Sequence, residues 1–381
     1  MYFRRIMPLL CGFCIALLCM LAWEMPCCAE NDALASLFEA AEPSAFALPD
    51  DVQEQFAEDG ISPEDPASLL TVSPAGMLQT LLDLLLQEAG KPLLLCGALL
   101  TLTLLSAVLG SMTDAASSGG LRRLTDMLCV LICAGSAAQP LCDCLTRTAS
   151  ALEDGRVFML SFVPVFSAFI AAGGSVAGSA GYQLLVLFLT EGIMQLTASV
   201  FYPLLQLAAG AGIVDAVNPA LKLGGFVAGL RKGITWLLGS LMALFSALLS
   251  VRSIVAAAAD TLGTKTVRLL TSSLIPVVGG AVSEAYGTVQ GSIVLLRNGV
   301  GAFGMLAIIY MTLPPLISLT VYRAVYAAAG IAADMAGAAS LSVLFRHTQS
   351  VLAAAFAMLV CFAVMLIVSS ALMLMLLGTP R

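Results

Sequence analysis

Apolar runs of about 20 residues recur from Leu93 to Leu377, and polar residues fall mainly in the short stretches between them. A helix of that length matches the ~30 Å hydrocarbon core of a bilayer, whereas the strands of a soluble α/β enzyme would be much shorter. The runs predict seven spans, at residues 93–112, 124–142, 157–176, 182–209, 234–259, 301–322 and 351–377. An Ala-rich stretch at 322–345, which contains Asp334, predicts either an eighth span or a helix packed along the surface. We therefore predict an all-α fold, a polytopic membrane helical bundle of about seven to eight spans.

Composition supports a membrane fold. Of the 381 residues, 60% are hydrophobic and only 11% are charged, which is too little charge to cover the surface of a soluble domain of this size. The excess apolar surface must face lipid. No basic patch with interleaved aromatic residues is present, so we expect no nucleic-acid partner.

The N-terminus has the order of regions found in secretory signal sequences. Arg4 and Arg5 precede an apolar stretch at 6–22, and the small residues at 27–29 follow it. We predict a signal peptide over residues 1–29, cleaved after Ala29. The alternative is an uncleaved first transmembrane helix.

The acidity of the chain is concentrated in one segment. The net charge is −7, and acidic residues crowd the stretch between Glu30 and Asp65, whereas no Lys or Arg occurs from Glu24 through Gly90. Five prolines are mixed with these carboxylates, and the segment lacks the apolar content for a core of its own. We predict that residues 30–90 form an acidic extracytoplasmic segment and that residues 91–381 form the multispan membrane domain. Within the acidic segment, residues 30 to about 75 should be extended or weakly helical, and residues 30–65 should be mobile.

The distribution of basic residues predicts an orientation but leaves a conflict. Arg122 and Arg123 lie between the first two predicted spans and favour the cytoplasm, which puts the mature N-terminus outside. Strict alternation of seven spans then puts Lys222, Arg231 and Lys232 outside, together with Arg147 and Arg156. The conflict implies either a re-entrant span or an interfacial helix at about 221–232.

Enzyme chemistry finds little support in the sequence. His347 is the only histidine, which excludes zinc-protease motifs, and we expect it to be solvated beside lipid headgroups. Cys142 and Cys144 lack the further ligands of a zinc site, and no phosphate-binding loop occurs. We predict no enzyme activity, no cofactor and no metal.

Glycines recur at GxxxG spacing, at 174–178, 225–229–233 and 287–291. Small residues let membrane helices approach closely, so we expect these glycines to pack, with a flexible gate hinge as the alternative.

Glu191 and Arg252 are the charges placed deepest in the predicted spans. Charge inside a membrane is expensive, so each should find a partner or a wet cavity. If their spans are antiparallel neighbours, the two residues lie at similar depths. We predict that they pair, as a structural clamp or as a charged gate; the alternative is that they make no contact.

The second half carries motifs that resemble a known family. The pattern consists of Thr264-Lys265-Thr266, Ile275-Pro276-Val277-Val278-Gly279-Gly280, Ser283, Thr288-Val289, Leu295-Leu296-Arg297-Asn298 and Val300-Gly301. In this order the residues from Asp260 to Leu377 resemble the stage III sporulation protein AE family of endospore-forming bacteria. The resemblance extends more loosely back to Asn218-Pro219, and it rests on architecture alone in the first 90 residues.

Charged residues and a proline interrupt the stretch 262–299, which predicts a broken or re-entrant helical hairpin. Pro276, Gly279 and Gly280 would form its bend, because proline removes a helix donor and glycine permits the turn. A surface helical loop is the alternative. The structural or gating candidates are therefore Glu191, Arg252, Pro276, Gly279, Gly280, Arg297 and Asn298.

The resemblance implies a function. Members of that family are integral subunits of a secretion-like channel complex that links mother cell and forespore and supports late forespore development. It implies other stage III sporulation membrane proteins and a forespore membrane partner as partners, and the mother-cell (outer forespore) membrane as the location. A free-standing small-solute transporter or a purely scaffolding membrane protein are the alternatives.

Overall fold

The computed structural model describes residues 47–58, 74–115, 119–172, 176–274 and 279–377. Across these segments the chain forms helices and turns and no strand. The α-helices, in chain order, are α1 (Asp50–Glu58), α2 (Pro74–Ala115), α3 (Gly119–Ala172), α4 (Val176–Leu196), α5 (Tyr202–Val217), α6 (Gly224–Leu274), α7 (Gly279–Met335) and α8 (Ala339–Leu377). A five-residue π-helix, Thr197–Phe201, joins α4 to α5.

The protein is an all-α membrane bundle, as predicted. Within the described residues, helices long and apolar enough to cross a membrane are Asp83–Thr113, Arg122–Ala168, Gly181–Val217, Gly299–Met335 and Ala339–Ala371. The prediction that separate spans occupy 124–142 and 157–176 is wrong, because both stretches belong to the single helix α3. Likewise the helix α2 begins at Pro74 and runs through the predicted domain boundary at 90.

Helix α8 lies at the centre of the bundle. It packs against α7, α5, α6 and α3. From Val351 onward its sequence is almost entirely apolar, and side chains such as Phe345, Leu352 and Phe362 are almost completely buried. Lipid is as apolar as these side chains, so close packing against the neighbouring helices, and not exclusion from lipid, accounts for its central position.

A tight turn joins α7 to α8. Gly337 adopts a left-handed conformation with φ of 73°, its N–H donates to Asp334 O, and the Ala338 N–H donates to Ala333 O. This pair of hydrogen bonds is a Schellman motif, which ends α7 at a residue where glycine is favoured. Residues 322–345 are therefore neither an eighth span nor one surface helix, since the turn divides them between α7 and α8.

Three helix-to-helix junctions lie at the same end of the bundle. Arg122 on α3 lines one recess with the α7–α8 turn, and Gly224 at the start of α6 contacts both Asp215 on α5 and His347 on α8. We call this the basic end, because Arg122, Arg123, Lys222 and Arg346 lie there.

The arrangement of the helices resolves the conflict over which basic residues face the cytoplasm. Since α3 crosses once instead of twice, alternation puts Arg122 and Lys222 at the same end. Arg147 and Arg156 lie inside α3 and not in a loop. A short 3-10 turn ends at Leu221, and the residues of the alternative interfacial helix from Gly224 onward form the first turns of α6.

Helix α1 docks a piece of the acidic segment on the bundle. The ring of Phe56 lies 5.5 Å from Phe303 and 5.0 Å from Tyr310 of α7, measured between ring centroids. The backbone N–H of Ala47 donates to Ser161 Oγ on α3 at 3.1 Å. Residues 50–58 are thus helical and packed, not extended. Most of the remaining acidic segment and the predicted signal peptide lie outside the described residues.

The glycines that pack tightly are not those with GxxxG spacing. A Cβ added at Gly225, Gly229 or Gly233 would meet no other atom within 4 Å. By contrast, a Cβ at Gly155 would come within 2.9 Å of the Phe362 ring on α8. The prediction that 225–229–233 packs is therefore wrong within this chain. The packing of the glycines at 174–178 and 287–291 lies outside the described part of the structure.

Candidate functional site

Ion pairs gather around the middle of α3. Arg156 donates to Glu191 Oε2 on α4 at 2.9 Å, and it also binds both oxygens of Glu153 one turn earlier on α3, at 2.9–3.1 Å. Only 27% of the Arg156 side chain is exposed, against 58% for Glu191. The guanidinium therefore joins two helices and neutralises two carboxylates in one place.

A second pair lies about two turns away on the same helix. The Arg147 guanidinium binds both oxygens of Glu88 on α2, at 3.0 and 3.1 Å. We call Glu88, Arg147, Glu153, Arg156 and Glu191 the charge belt. The belt links α3 to α2 through one Arg147 nitrogen that donates to both Glu88 oxygens, and α3 to α4 through a single charge-assisted hydrogen bond from Arg156 to Glu191.

The charge belt explains why α3 is continuous. A charged side chain is costly in lipid, and a partner at hydrogen-bond distance lowers that cost. The prolines inside α3, Pro140 and Pro164, do not end the helix. In a membrane bundle, neighbouring helices and Ser or Thr side chains compensate such interruptions.

The basic end holds a further polar contact. His347 Nε2 lies 2.9 Å from Asp215 Oδ2, with 17% and 11% of the two side chains exposed. Gly212 and Gly224 lie so close to this pair that added Cβ atoms would meet His347 Cβ at 2.7 Å and Asp215 Oδ2 at 3.0 Å. The prediction that His347 is solvated is therefore wrong, because it joins α8 to α5.

One more cation lies within a span. Arg323 on α7 is half-buried, and its guanidinium carbon lies 5.3 Å from the centroid of the Phe356 ring on α8. A cation over an aromatic face is stabilised electrostatically where water is scarce. The contact allows a charge to remain inside the α7–α8 hairpin.

Two of the cysteines considered as ligands point apart. Cys142 is exposed and Cys144 is buried, as expected for residues two apart on a helix. Among the described side chains no group of three His, Cys, Asp or Glu residues could hold a metal ion.

The structure describes the surroundings of only some of the predicted candidate residues. Glu191 belongs to the charge belt, with Arg156 as its partner. Arg252 lies in α6 and its side chain is outside the described part, so its pairing with Glu191 remains a prediction. Gly279 and Gly280 are the first residues of α7, and Pro276 lies outside the described residues. Arg297 and Asn298 lie in α7, again with side chains outside the described part.

Comparison with known proteins decides the family. Residues 68–376 match the family described as stage III sporulation protein AE. The chain belongs to the stage III sporulation protein AE family. It is 24% identical over 281 residues to the stage III sporulation protein AE of Bacillus subtilis (strain 168), which covers 74% of this chain and 70% of that one. No solved structure matches the chain.

The region shared with the stage III sporulation protein AE family begins before the charge belt and ends near the end of α8. It contains all five residues of the belt and both residues of the His347–Asp215 contact. Helix α1 precedes it. The bundle and its buried charges therefore lie within the part of the chain that defines the family.

The sequence alone did not predict the ion pairs that Arg147 forms with Glu88 and Arg156 forms with Glu191. It assigned 143–156 to a loop because charges there interrupt two apolar runs. One signal was present: Glu153 and Arg156 are spaced i, i+3, which favours a helix over a loop.

Proposed function

We propose that this chain is an integral membrane subunit of a secretion-like channel complex that links mother cell and forespore and is needed for late forespore development. The observation that carries the proposal is the family match over 68–376, which includes every described transmembrane helix. The charge belt supports it, because paired charges within membrane helices mark pathways or coupling sites more often than inert walls.

The proposed location is the mother-cell (outer forespore) membrane, with the basic end in the cytoplasm. Arg122, Arg123, Lys222 and Arg346 support this orientation, since cytoplasmic ends are rich in Lys and Arg. The connection between α3 and α4 at the other end has no Lys or Arg from 157 through 190. The acidic segment, with α1, is then extracytoplasmic.

The proposed partners are other stage III sporulation membrane proteins and a forespore membrane partner. The exposed GxxxG face of α6 at Gly225, Gly229 and Gly233 supports membrane-embedded contacts with other helices, because such glycines allow close approach. The proposal includes no catalytic step.

Deletion of the gene in the source organism tests this role. We expect engulfment to be completed and late forespore transcription to fail, because a channel subunit acts after the forespore is enclosed. A copy of the wild-type gene at another locus should restore transcription. Normal spore numbers in the deletion strain would overturn the proposal, and a block before engulfment would assign the protein another role.

A further inference from the structure

The exposed face of α3 changes character along the helix. Its exposed side chains are apolar near the basic end, at Leu124, Leu128 and Ile132, and apolar again at Val157 and Leu160. Between Gly135 and Glu153 no exposed side chain of α3 is aliphatic or aromatic. We call this section the α3 stripe. Its exposed residues include Ser136, Gln139, Cys142, Asp143, Thr146 and Ser150.

The α3 stripe reaches membrane depth when the basic end marks the cytoplasmic boundary. With Arg122 and Arg123 at that boundary, the ~30 Å hydrocarbon core takes about 20 residues at 1.5 Å per residue, from Leu124 to Asp143. Ser136, Gln139, Cys142 and Asp143 then lie within the core. The Ser136 hydroxyl donates to Ile132 O, but lipid offers no hydrogen-bond partner to the Gln139 amide or the Asp143 carboxylate.

A second polar face runs along α4, the π-helix and α5. Glu191, Gln195, Ser199 and Gln206 are exposed there, between the exposed apolar residues Leu184 and Phe188 on one side and Leu207 and Val214 on the other. We call this the α4–α5 stripe. The π-helix Thr197–Phe201 lies within it. π-Helical turns are rare and are frequent at functional sites.

The two stripes lie at the same depth. Ser167 Oγ on α3 donates to Gln183 Oε1 on α4 at 3.1 Å, and Arg156 binds Glu191 at 2.9 Å. The chain directions are therefore opposite, and moving from Arg156 toward the basic end on α3 corresponds to moving from Glu191 toward α5. Both stripes begin at the Arg156–Glu191 bridge and extend about 25 Å from it, at 1.5 Å per residue.

We propose that the α3 stripe and the α4–α5 stripe line a hydrated passage for water and small polar solutes, closed at one end by the Arg156–Glu191 bridge. The inference builds on the proposed channel role and names the surface that performs it. Water supplies the hydrogen bonds that lipid cannot. It also explains why Glu191 keeps more than half of its side chain exposed beside its cation.

Cys142 is a native probe of this passage. The thiolate is the reactive form of cysteine, and it forms in water but not in lipid. In native membranes containing the full chain, we expect the charged reagent trimethylammonioethyl methanethiosulfonate to modify Cys142. The Cys142→Ser variant corrects for the other cysteines. In that background, Gln139→Cys and Ser150→Cys should react at least ~10-fold faster than Leu128→Cys and Ile132→Cys, which face the apolar section of the same helix.

Three results would overturn the passage. The first is equal, slow modification at Gln139→Cys and Leu128→Cys, which means that lipid covers the stripe. The second is equal, fast modification at all positions, which places this face outside the bilayer. The third is protection of Cys142 in membranes that is lost on purification in detergent, which means that a partner protein covers the stripe. Labelling does not depend on spore formation, so failure here and failure of the deletion test are distinguishable.

Discussion

Gly304 on α7 lies directly against the ring of Phe162 on α3, closer than any side chain would allow. Phe162 is the middle of three buried rings, stacked 5.2 Å from Phe158 and 5.2 Å from Phe166 between centroids. The missing side chain of Gly304 thus sets how closely α7 approaches α3. The same helices carry α1, whose Phe56 contacts Phe303.

Replacing Gly304 by alanine should destabilise the protein. An added Cβ overlaps a ring held on both sides, and such overpacking costs about 1–3 kcal/mol, which exceeds the gain of about 0.8–1.0 kcal/mol from Gly→Ala helix propensity. Thermal unfolding of the purified protein in detergent measures the difference. Gly229→Ala is the matched control, because its Cβ meets open space and stability should be unchanged or slightly higher. A Gly304→Ala protein as stable as wild type would show that the ring column can move aside.

Reversing both charges of the Arg156–Glu191 bridge should lower the level of folded protein less than reversing Arg156 alone. Arg156→Glu places three carboxylates together, since Glu153 and Glu191 remain, and we expect a lower level of folded protein in membranes. Combining it with Glu191→Arg restores an opposite-charge contact between α3 and α4 and should restore much of that level. Immunoblots of membrane fractions measure it. The control is Glu191→Arg with Arg156 intact, and a double variant no better than either single one would argue against direct coupling.

Loss of the Phe56 ring should release α1 from the bundle. Truncating a buried phenylalanine costs about 3–5 kcal/mol, and a nine-residue helix is not stable alone in water. In Phe56→Ala we expect hydrogen exchange at 50–58 to accelerate by at least ~100-fold, measured by mass spectrometry. Glu54→Ala changes an exposed side chain of the same helix and should leave exchange nearly as it was. Equal exchange in both variants would mean that Phe56 does not hold the helix.

The single crossing of α3 gives a topology that can be tested. Cysteines introduced in place of Arg123 and Lys222 should react with an impermeant maleimide from the same face of the membrane, and a cysteine at Ala168 should react from the other. Inverted vesicles and intact protoplasts provide the two faces. Two separate spans at 124–142 and 157–176 would instead bury position 168 in the membrane and put positions 123 and 222 on opposite faces, which would contradict the structure.

Much of the fold could be predicted, because long apolar runs have few alternatives to membrane helices. The helix breaks were harder. Hydropathy treats Asp143, Arg147, Glu153 and Arg156 as a loop, since it adds the cost of each charge and has no information on partners. The cost of burying Arg147 and Arg156 falls because Glu88 on α2 and Glu191 on α4 pair with them, and these contacts form only in the tertiary structure.

The absence of tertiary contacts from the sequence also explains why the partner of Glu191 could not be predicted. The sequence compares the depth of Glu191 only with that of Arg252, because the two apolar runs put Arg156 in a loop between them, whereas the structure pairs Glu191 with Arg156. The GxxxG spacing likewise shows that a close approach is permitted, and it does not show which helix approaches. At Gly225, Gly229 and Gly233 no helix of this chain does.

The length of α3 has a consequence for the space around the membrane. Its 54 residues extend about 80 Å along the helix, whereas a bilayer with its headgroups is about 40–45 Å thick. With two prolines inside it, α3 is still longer than the membrane is thick. The rest of the helix projects beyond the headgroups, so it could contact a protein in a facing membrane while the two membranes stay apart.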